Sequence, residues 1–406
     1  MNVGEDLKAR GLIEHTSADV QKILSTTRTV YLGVDPSADS MQAGNLVVVL
    51  LMKRLADAGH KIVLLVGGGT GMIGDPRESG ERKLADPKIV AKNKKAIRAQ
   101  IQRIIGKKVT LVDNADWLLK LKLVDFLRDI GKHFTVNELV KRDVIRRRLE
   151  IPNESISYTE FAYSLLQGYD FMVLNQKYGC DLQIGATDQW TNILSGVELI
   201  RRKLGKEAFA LTCPLVTDAA GKKFGKSEGN AIWLDAKKTS PFAFYQFWLN
   251  QPDEKVETYL KMYTFLSVET ISQLLEKHRQ NPSDRIAQKA LAREVTRVVH
   301  GETITKDVEK KTAVQFGGTS VESLSEEDQS AFKIVPFTGG ERETISTLAA
   351  EGFGISKSEA RRLILGKGIR INGAIVESDR TFTNEDFVNN VALLQKGKTE
   401  KVLIKR

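Results

Sequence analysis

Short apolar runs and longer amphipathic stretches alternate along the chain. Thr29–Val34 and Ile62–Val66 are apolar throughout and rich in β-branched residues, the pattern of strands buried on both faces. Between them Leu46–Ala58 is a dense apolar run closed by Gly59, where helices stop. A strand, helix, strand unit of this length predicts a parallel sheet with a right-handed crossover. The pattern continues with an amphipathic helix over Pro87–Ile105, a third strand at Val109–Asp113, and a short strand over Asp181–Ala186 that runs into a helix. Ser157-Tyr158-Thr159-Glu160 has the form of a capping box opening a helix to about Leu174. Further on, Pro241–Asn250, Asp253–Tyr263 and Ile271–His300 are helical, whereas 317–340 has little apolar period and predicts a linker. The last stretch combines an apolar helix, a second helix capped by Ser356, and a hairpin at Asn372-Gly373. The expected class is α/β: a Rossmann-like parallel-sheet domain over 1–235, a helical domain over 236–316, and a small α+β domain over 341–406.

Several polar clusters interrupt these elements. Lys222-Lys223-Phe224-Gly225-Lys226-Ser227 crowds three lysines into a stretch flanked by glycines and without apolar period, so it is a loop whose ammonium groups face water or an anion. Gln42-Ala43-Gly44-Asn45 lies at a helix start, where free N–H groups suit a phosphate or simply begin a helix. Gly69, Gly71 and Gly74 match G-x-G-x-x-G, but Asp75-Pro76 and a broken polar stretch follow instead of a helix. This excludes a dinucleotide fingerprint and leaves a flexible phosphate-side loop. Tyr163, Gln167 and Asp170 fall at i, i+4 and i+7, on one face of an otherwise apolar helix, and are core residues with internal partners, an exposed face, or ligands. Nothing in Asn114-Ala115-Asp116-Trp117 calls for chemistry. Lys132, Lys141, Arg142, Arg146, Arg147 and Arg148 form a basic face over 123–149 that is either solvated or follows a nucleic-acid backbone.

The Lys-Phe-Gly-Lys-Ser spacing resembles the lysine-loop signature of class I aminoacyl-tRNA synthetases, in the form carried by bacterial tyrosyl-tRNA synthetases, and the other clusters fit that family along nearly the whole chain. The resemblance implies activation of tyrosine with ATP and its transfer to tRNA(Tyr). It gives Lys223, Lys226, Ser227 and Arg82 the pyrophosphate, together with Gln42 and Asn45, which stand where the family has two histidines. It places tyrosine among Tyr31, Asp75, Tyr163, Gln167, Asp170 and Gln183, with Asp75 on the ammonium and Tyr31 and Asp170 on the phenol. ATP falls to Gly33, Asp35, Gly44, Asp188, Gln189 and Lys226, with Asp188 on the ribose. Ala186 replaces a family glycine and adds a methyl group near the nucleotide. Lys357, Arg361 and Arg362 share one side of a helix in a segment similar to S4 RNA-binding domains. Gly131–Asn137 is similar to the family's dimer-side helices and implies a homodimer.

Composition narrows the classes further. Lys and Arg number 61 against 51 Asp and Glu, a formal charge of +10 that favours a polyanionic partner. Cys180 and Cys213 form no metal-ligand spacing with the five histidines and fit a reducing cytosol, so no protein-held metal is expected and magnesium comes with the ATP phosphates. The longest apolar run, Leu46–Met52, is too short to span a bilayer, and Met1–Leu12 mixes charges, so a soluble cytoplasmic protein is expected. Two alternatives stay open: a synthetase paralogue impaired in catalysis that acts as an RNA-binding protein, and a synthetase for tryptophan, whose indole donates a hydrogen bond but offers no phenolic oxygen.

Overall fold

A six-stranded sheet organises the first part of the chain. In chain order its strands are β1 (His15–Thr16), β2 (Thr29–Val34), β3 (Lys61–Val66), β4 (Val109–Val112), β5 (Leu182–Ala186) and β6 (Phe209–Cys213), and their spatial order is β1-β6-β5-β2-β3-β4. β2 to β6 run parallel, and β1 closes one edge antiparallel to β6. The computed structural model describes every residue except 1, 77–79, 81–83, 107–108, 153, 219–220, 222–223, 225, 228–229, 317–320, 322–323, 325–328, 330–331, 340–342 and 398–399, and leaves out the side chains of 143, 226, 227 and 230. The chain divides into two compact units, Met1–His300 and Gly301–Arg406. The first unit therefore joins the sheet with the helices of 241–300.

The strand order reverses between β2 and β5. From β2 the chain moves outward through β3 to β4, then returns to the other side of β2 for β5 and β6. The crevice outside the carboxyl ends of the strands at such a reversal is where open α/β sheets hold ligands. Tyr31 pairs in register with Gln183 across β2 and β5. Side chains of paired residues leave the same face, so this register decides that they enter one space.

Helix Tyr163–Tyr178 covers that space and is buried on most of its circumference, which explains why its sequence is apolar nearly all round. One side packs into a core with Tyr31, Val63, Leu65 and Leu199. The other meets helix Trp190–Leu204, and glycines set the spacing: a Cβ on Gly196 would lie 2.8 Å from Cβ of Phe171. The expected single helix from Tyr158 is two, Tyr158–Phe161 and Tyr163–Tyr178, joined at Ala162. Gly179, at φ 67°, ends the second in the left-handed conformation that glycine adopts without a Cβ clash.

The second unit carries a five-stranded sheet in the order Ala374–Ile375, Ile369–Ile371, Val391–Lys396, Glu400–Lys405, Lys333–Pro336. Asn372 (φ 49°) and Gly373 (φ 88°) form the two-residue hairpin turn, with Ile371 paired to Ala374. The stretch 317–340, expected to be a linker, contributes Lys333–Pro336 as a parallel edge strand against Val402–Lys405, and buries Val321, Leu324 and Phe332. Its few apolar residues are spaced too widely to show a period, yet enough of them reach the core to anchor it. Helix Glu302–Phe316 also belongs to this second unit.

The basic face expected over 123–149 is divided. Arg148 is fully buried, with Nη1 donating to the equally buried Glu160 at 2.8 Å and Nη2 donating to the Ser155 carbonyl. This pair ties helix Asp143–Glu150 to the helix that leads into Tyr163. Glu160→Ala would leave the buried guanidinium with only the more exposed Glu154, 3.5 Å from its Nε, so it should lower the unfolding free energy of the first unit by about 3 kcal/mol, as read from urea unfolding.

Candidate active site

A cavity of about 310 Å³ opens at the carboxyl ends of β2 and β5. Residues 31–34 of β2 and 183–186 of β5 line it, Tyr31 and Gln183 among them. Gly33 has a steric reason: a Cβ there would lie 2.7 Å from the Tyr31 hydroxyl, so the missing side chain makes room for the phenol. Tyr163, Gln167 and Asp170 project from the covering helix into the same cavity. The i, i+4, i+7 face is thus a cavity wall.

Asp170 lies at the closed end, 1 % exposed. One carboxyl oxygen accepts from Trp117 Nε1 at 2.7 Å and the other from Asn114 Nδ2 at 2.9 Å. Burial pushes its pKa up to about 8, against these two donors, which act to lower it. Asn114, 0 % exposed, has a fully used amide: its other N–H donates to Thr70 Oγ1 at 2.8 Å and its Oδ1 accepts from the Gly69 N–H at 2.8 Å. Thr70 in turn donates to Asp35 Oδ1 at 2.7 Å, and the Tyr163 hydroxyl donates to Asp35 Oδ2 at 2.8 Å. A single hydrogen-bonded chain therefore links the carboxyl ends of β2, β3 and β4 to both ends of the Tyr163–Asp170 face. Asn114 and Trp117, in a segment where nothing in the sequence calls for chemistry, are the hydrogen-bond partners of Asp170. The signal that could have found them was position, since they directly follow a parallel strand at its carboxyl end.

A second carboxylate, Asp75, borders the open part of the cavity. Gln189 Nε2 donates to its Oδ2 at 2.7 Å and Asn192 Nδ2 to its Oδ1 at 3.2 Å. Burial raises its pKa to about 6, and the negative charges of Asp35 and Asp188 add to the rise. Gln183 is buried, with Oε1 lacking a protein partner and the residue lining the cavity. Asp188 is exposed at the cavity rim beside Ala186. The glycine-rich turn after β3 forms only a 3₁₀ turn, Thr70–Met72, in keeping with the exclusion of a dinucleotide fingerprint.

Within the lysine-rich stretch, Phe224 meets a helix start that borders the cavity. Phe224 is buried among the rings of Phe247, Trp248, Tyr259 and Tyr263, with centroids 4.6–5.8 Å away. Its carbonyl oxygen lies 2.8 Å from where a Cβ of Gly44 would stand. Gly44 and Asn45 border the cavity, whereas Gln42, the N-cap of helix Ala43–Asp57, lies outside its wall and Asn45 Oδ1 accepts the Gln42 N–H at 3.4 Å. Lys226 and Ser227 form a two-residue strand against Asn230–Ala231, without described side chains, and Lys223 and Arg82 lie outside the described residues. In the second unit Lys357, Arg361 and Arg362 are exposed on helix Lys357–Leu365, and Arg361 Nε pairs with Asp379 at 3.1 Å.

A crevice at the reversal of a parallel sheet, with the buried Asp170 at one end and the half-buried Asp75 toward the other, is the arrangement of a class I synthetase. Residues 25–317 match the family of class I tRNA synthetases (W and Y), and residues 346–387 match the S4 domain. The chain belongs to that class I family. It is 43 % identical to tyrosine–tRNA ligase 1 of Vibrio parahaemolyticus over 99 % of this chain and 98 % of the relative. It is 46 % identical to tyrosine–tRNA ligase of Leuconostoc mesenteroides over 92 % and 91 %. The crystal structure of a C-terminally truncated mitochondrial tyrosyl-tRNA synthetase from Aspergillus nidulans superposes with a TM-score of 0.67 at 30 % identity, covering 76 % of this chain and 92 % of that one. A tryptophanyl-tRNA synthetase from Encephalitozoon cuniculi shares the fold at a TM-score of 0.54 and 15 % identity, over 81 % of this chain and 91 % of that one. The fold by itself therefore does not separate the two amino acids.

The raised pKa of Asp170 has a direct consequence for stability. A carboxyl that holds its proton more tightly when folded gives stability that is fully present below its unfolded pKa, near 3.8, and lost as pH rises to about 8. Measured in urea, the unfolding free energy of the wild type relative to Asp170→Asn should fall over that window; an identical pH dependence in both proteins would contradict it.

Proposed function

We propose that this chain is a tyrosine–tRNA ligase that joins tyrosine and ATP to give tyrosyl-adenylate and pyrophosphate, then passes the tyrosyl group to the terminal adenosine of tRNA(Tyr). The observation that carries this is the closed end of the cavity, where Tyr31 and Asp170 share one space. A phenol both donates and accepts a hydrogen bond. Asp170, with N–H donors on both oxygens, keeps lone pairs for the phenolic proton, and Tyr31 supplies a hydroxyl for the phenolic oxygen. A hydroxyl donating to Asp170 favours its ionised form and brings its pKa back down. Tryptophan has no phenolic oxygen and phenylalanine lacks the hydroxyl altogether, so each leaves polar groups unpaired.

The remaining cavity residues divide by chemistry. Asp75 takes the ammonium group, with Tyr163, Gln167 and Gln183 bordering the amino acid, while Gly33, Asp35, Gly44, Asp188 and Gln189 hold the nucleotide. The tyrosine carboxylate oxygen forms a bond to the α-phosphorus as the bridging bond to the β-phosphate breaks. Negative charge then grows on the departing pyrophosphate. Lys223, Lys226, Ser227 and Arg82 meet it, with Gln42 and Asn45 as neutral donors, so the site acts by positioning and charge stabilisation and needs little acid or base catalysis. Phe224 packed on Gly44 supports this, since it seats the lysine loop on the helix start that borders the cavity. Magnesium bound to the phosphates neutralises part of their charge; among the described residues no group of three or more His, Cys, Asp or Glu side chains could hold a metal. Lys357, Arg361 and Arg362 contact RNA phosphates.

The protein works as a cytoplasmic homodimer. Among the described residues no helix is long and apolar enough to cross a membrane. Helix Leu123–Asp129 buries none of its residues, and Leu119, Leu123, Val124 and Val136 are between 62 % and 73 % exposed. An uncovered apolar face of this kind is what a second copy would cover. Leu123→Glu with Val124→Glu should shift the molar mass in light scattering from two chains to one.

The activity is tested by amino-acid-dependent exchange of pyrophosphate into ATP. Tyrosine should support it, and tryptophan and phenylalanine should not. Asp170→Ala should cut the preference for tyrosine over phenylalanine by about 10- to 100-fold, the scale of losing a hydrogen bond to a charged group. No tyrosine-dependent exchange alongside intact tRNA binding would favour the impaired RNA-binding paralogue.

A further inference from the structure

Arg142 belongs to the basic stretch that its sequence marks as a charged face, yet it is half-buried and turned toward the cavity side of helix Trp190–Leu204. Its Nη1 donates to Asn192 Oδ1 at 3.1 Å, and its Nη2 donates to Ser195 Oγ. The Ser195 hydroxyl donates onward to the Thr191 carbonyl at 3.0 Å, so the second acceptor is itself fixed. Asn192, 8 % exposed, has a side chain with two different faces, and the guanidinium occupies the carbonyl face. The amide nitrogen is thereby left to donate to Asp75 Oδ1 at 3.2 Å and to Gln189 Oε1 at 3.3 Å. Gln189 completes the ring by donating to Asp75 Oδ2 at 2.7 Å.

An amide can turn over at little cost when nothing distinguishes its ends. Turned over, Asn192 would set its carbonyl oxygen against the Asp75 carboxylate, and Asp75 would exchange a donor for a repulsive acceptor. A guanidinium cannot accept a hydrogen bond, so the fork of Arg142 permits only one orientation.

We propose that Arg142 is a positioning residue for the ammonium end of the amino acid, acting through Asn192 to aim the Asp75 carboxylate. This rests on the assignment of the substrate ammonium to Asp75 given above. Arg142 touches no substrate; it fixes the amide that fixes the carboxylate. A role of this kind affects ligands that carry an ammonium group and spares those that do not.

Three ligands separate the possibilities: tyrosine, tyramine, which keeps the ammonium and phenol but has no carboxylate, and 3-(4-hydroxyphenyl)propionate, which keeps the phenol and carboxylate but has no ammonium. Equilibrium dialysis on the full chain should show Arg142→Gln weakening tyrosine and tyramine by about fivefold, the scale of one hydrogen bond, with the propionate changed less than about twofold. Asp75→Asn should show the same selectivity with a larger loss. The guanidinium charge also acts on Asp75 directly, so the serial test keeps the charge: Arg142→Lys combined with Asn192→Ala should lose no more than Asn192→Ala alone. Arg142→Lys, which keeps the charge and the folded state but not the fork, should fall between wild type and Arg142→Gln, and it serves if the glutamine variant does not fold. Equal weakening of all three ligands, or of none, in an Arg142 variant while Asp75→Asn remains selective would overturn the positioning role and leave the ammonium assignment standing. Loss of selectivity in Asp75→Asn itself would overturn that assignment and the role of Arg142 with it.

Discussion

A carboxylate out of reach of water is tolerable only where fixed donors replace the water, and Asp170 is held on that condition. Trp117 and Asn114 each supply one N–H. Asn114 is not free to turn, since it is bound on its other two sides by Thr70 and the Gly69 backbone. The rest follows outward, through Thr70 to Asp35 and from Asp35 to Tyr163. This end of the cavity is therefore assembled from the ends of three strands and one helix. It exists only when β2, β3 and β4 are in their native register, since a slip of one residue turns every side chain to the other face.

Much of the sheet was legible in the sequence because parallel strands buried on both faces are written as unbroken apolar runs, as Thr29–Val34 and Ile62–Val66 are. The helix face of Tyr163, Gln167 and Asp170 was legible for the opposite reason, three polar residues at one angular position on an apolar cylinder. What stayed hidden were the supporting groups. Asn114, Trp117, Thr70 and Asn192 stand singly in their segments, with no periodic partner, and their roles arise only from strand order, which brings the end of β4 beside the covering helix. Arg142 and Arg148 were misread for a related reason. A run of cations looks solvated until the fold supplies buried acceptors for two of them.

The two acidic centres of the cavity are built on different plans. Asp170 takes its donors from aromatic and amide groups deep in the core, while Asp75 is held by amides on the first turn of helix Trp190–Leu204 and the turn before it. Both pKa values are raised by burial, to about 8 and about 6. The cavity thus grades from the buried Asp170 to the half-buried Asp75.

The close seat of Phe224 on Gly44 carries a consequence of its own. The carbonyl oxygen lies where the smallest side chain would have to go, so the loop backbone and the helix start share one surface with no slack between them. Four aromatic rings hold Phe224 from the other direction. Phe224 is therefore pinned between the start of helix Ala43–Asp57 and the ring cluster, so any side chain added at position 44 would displace this backbone and its ring together.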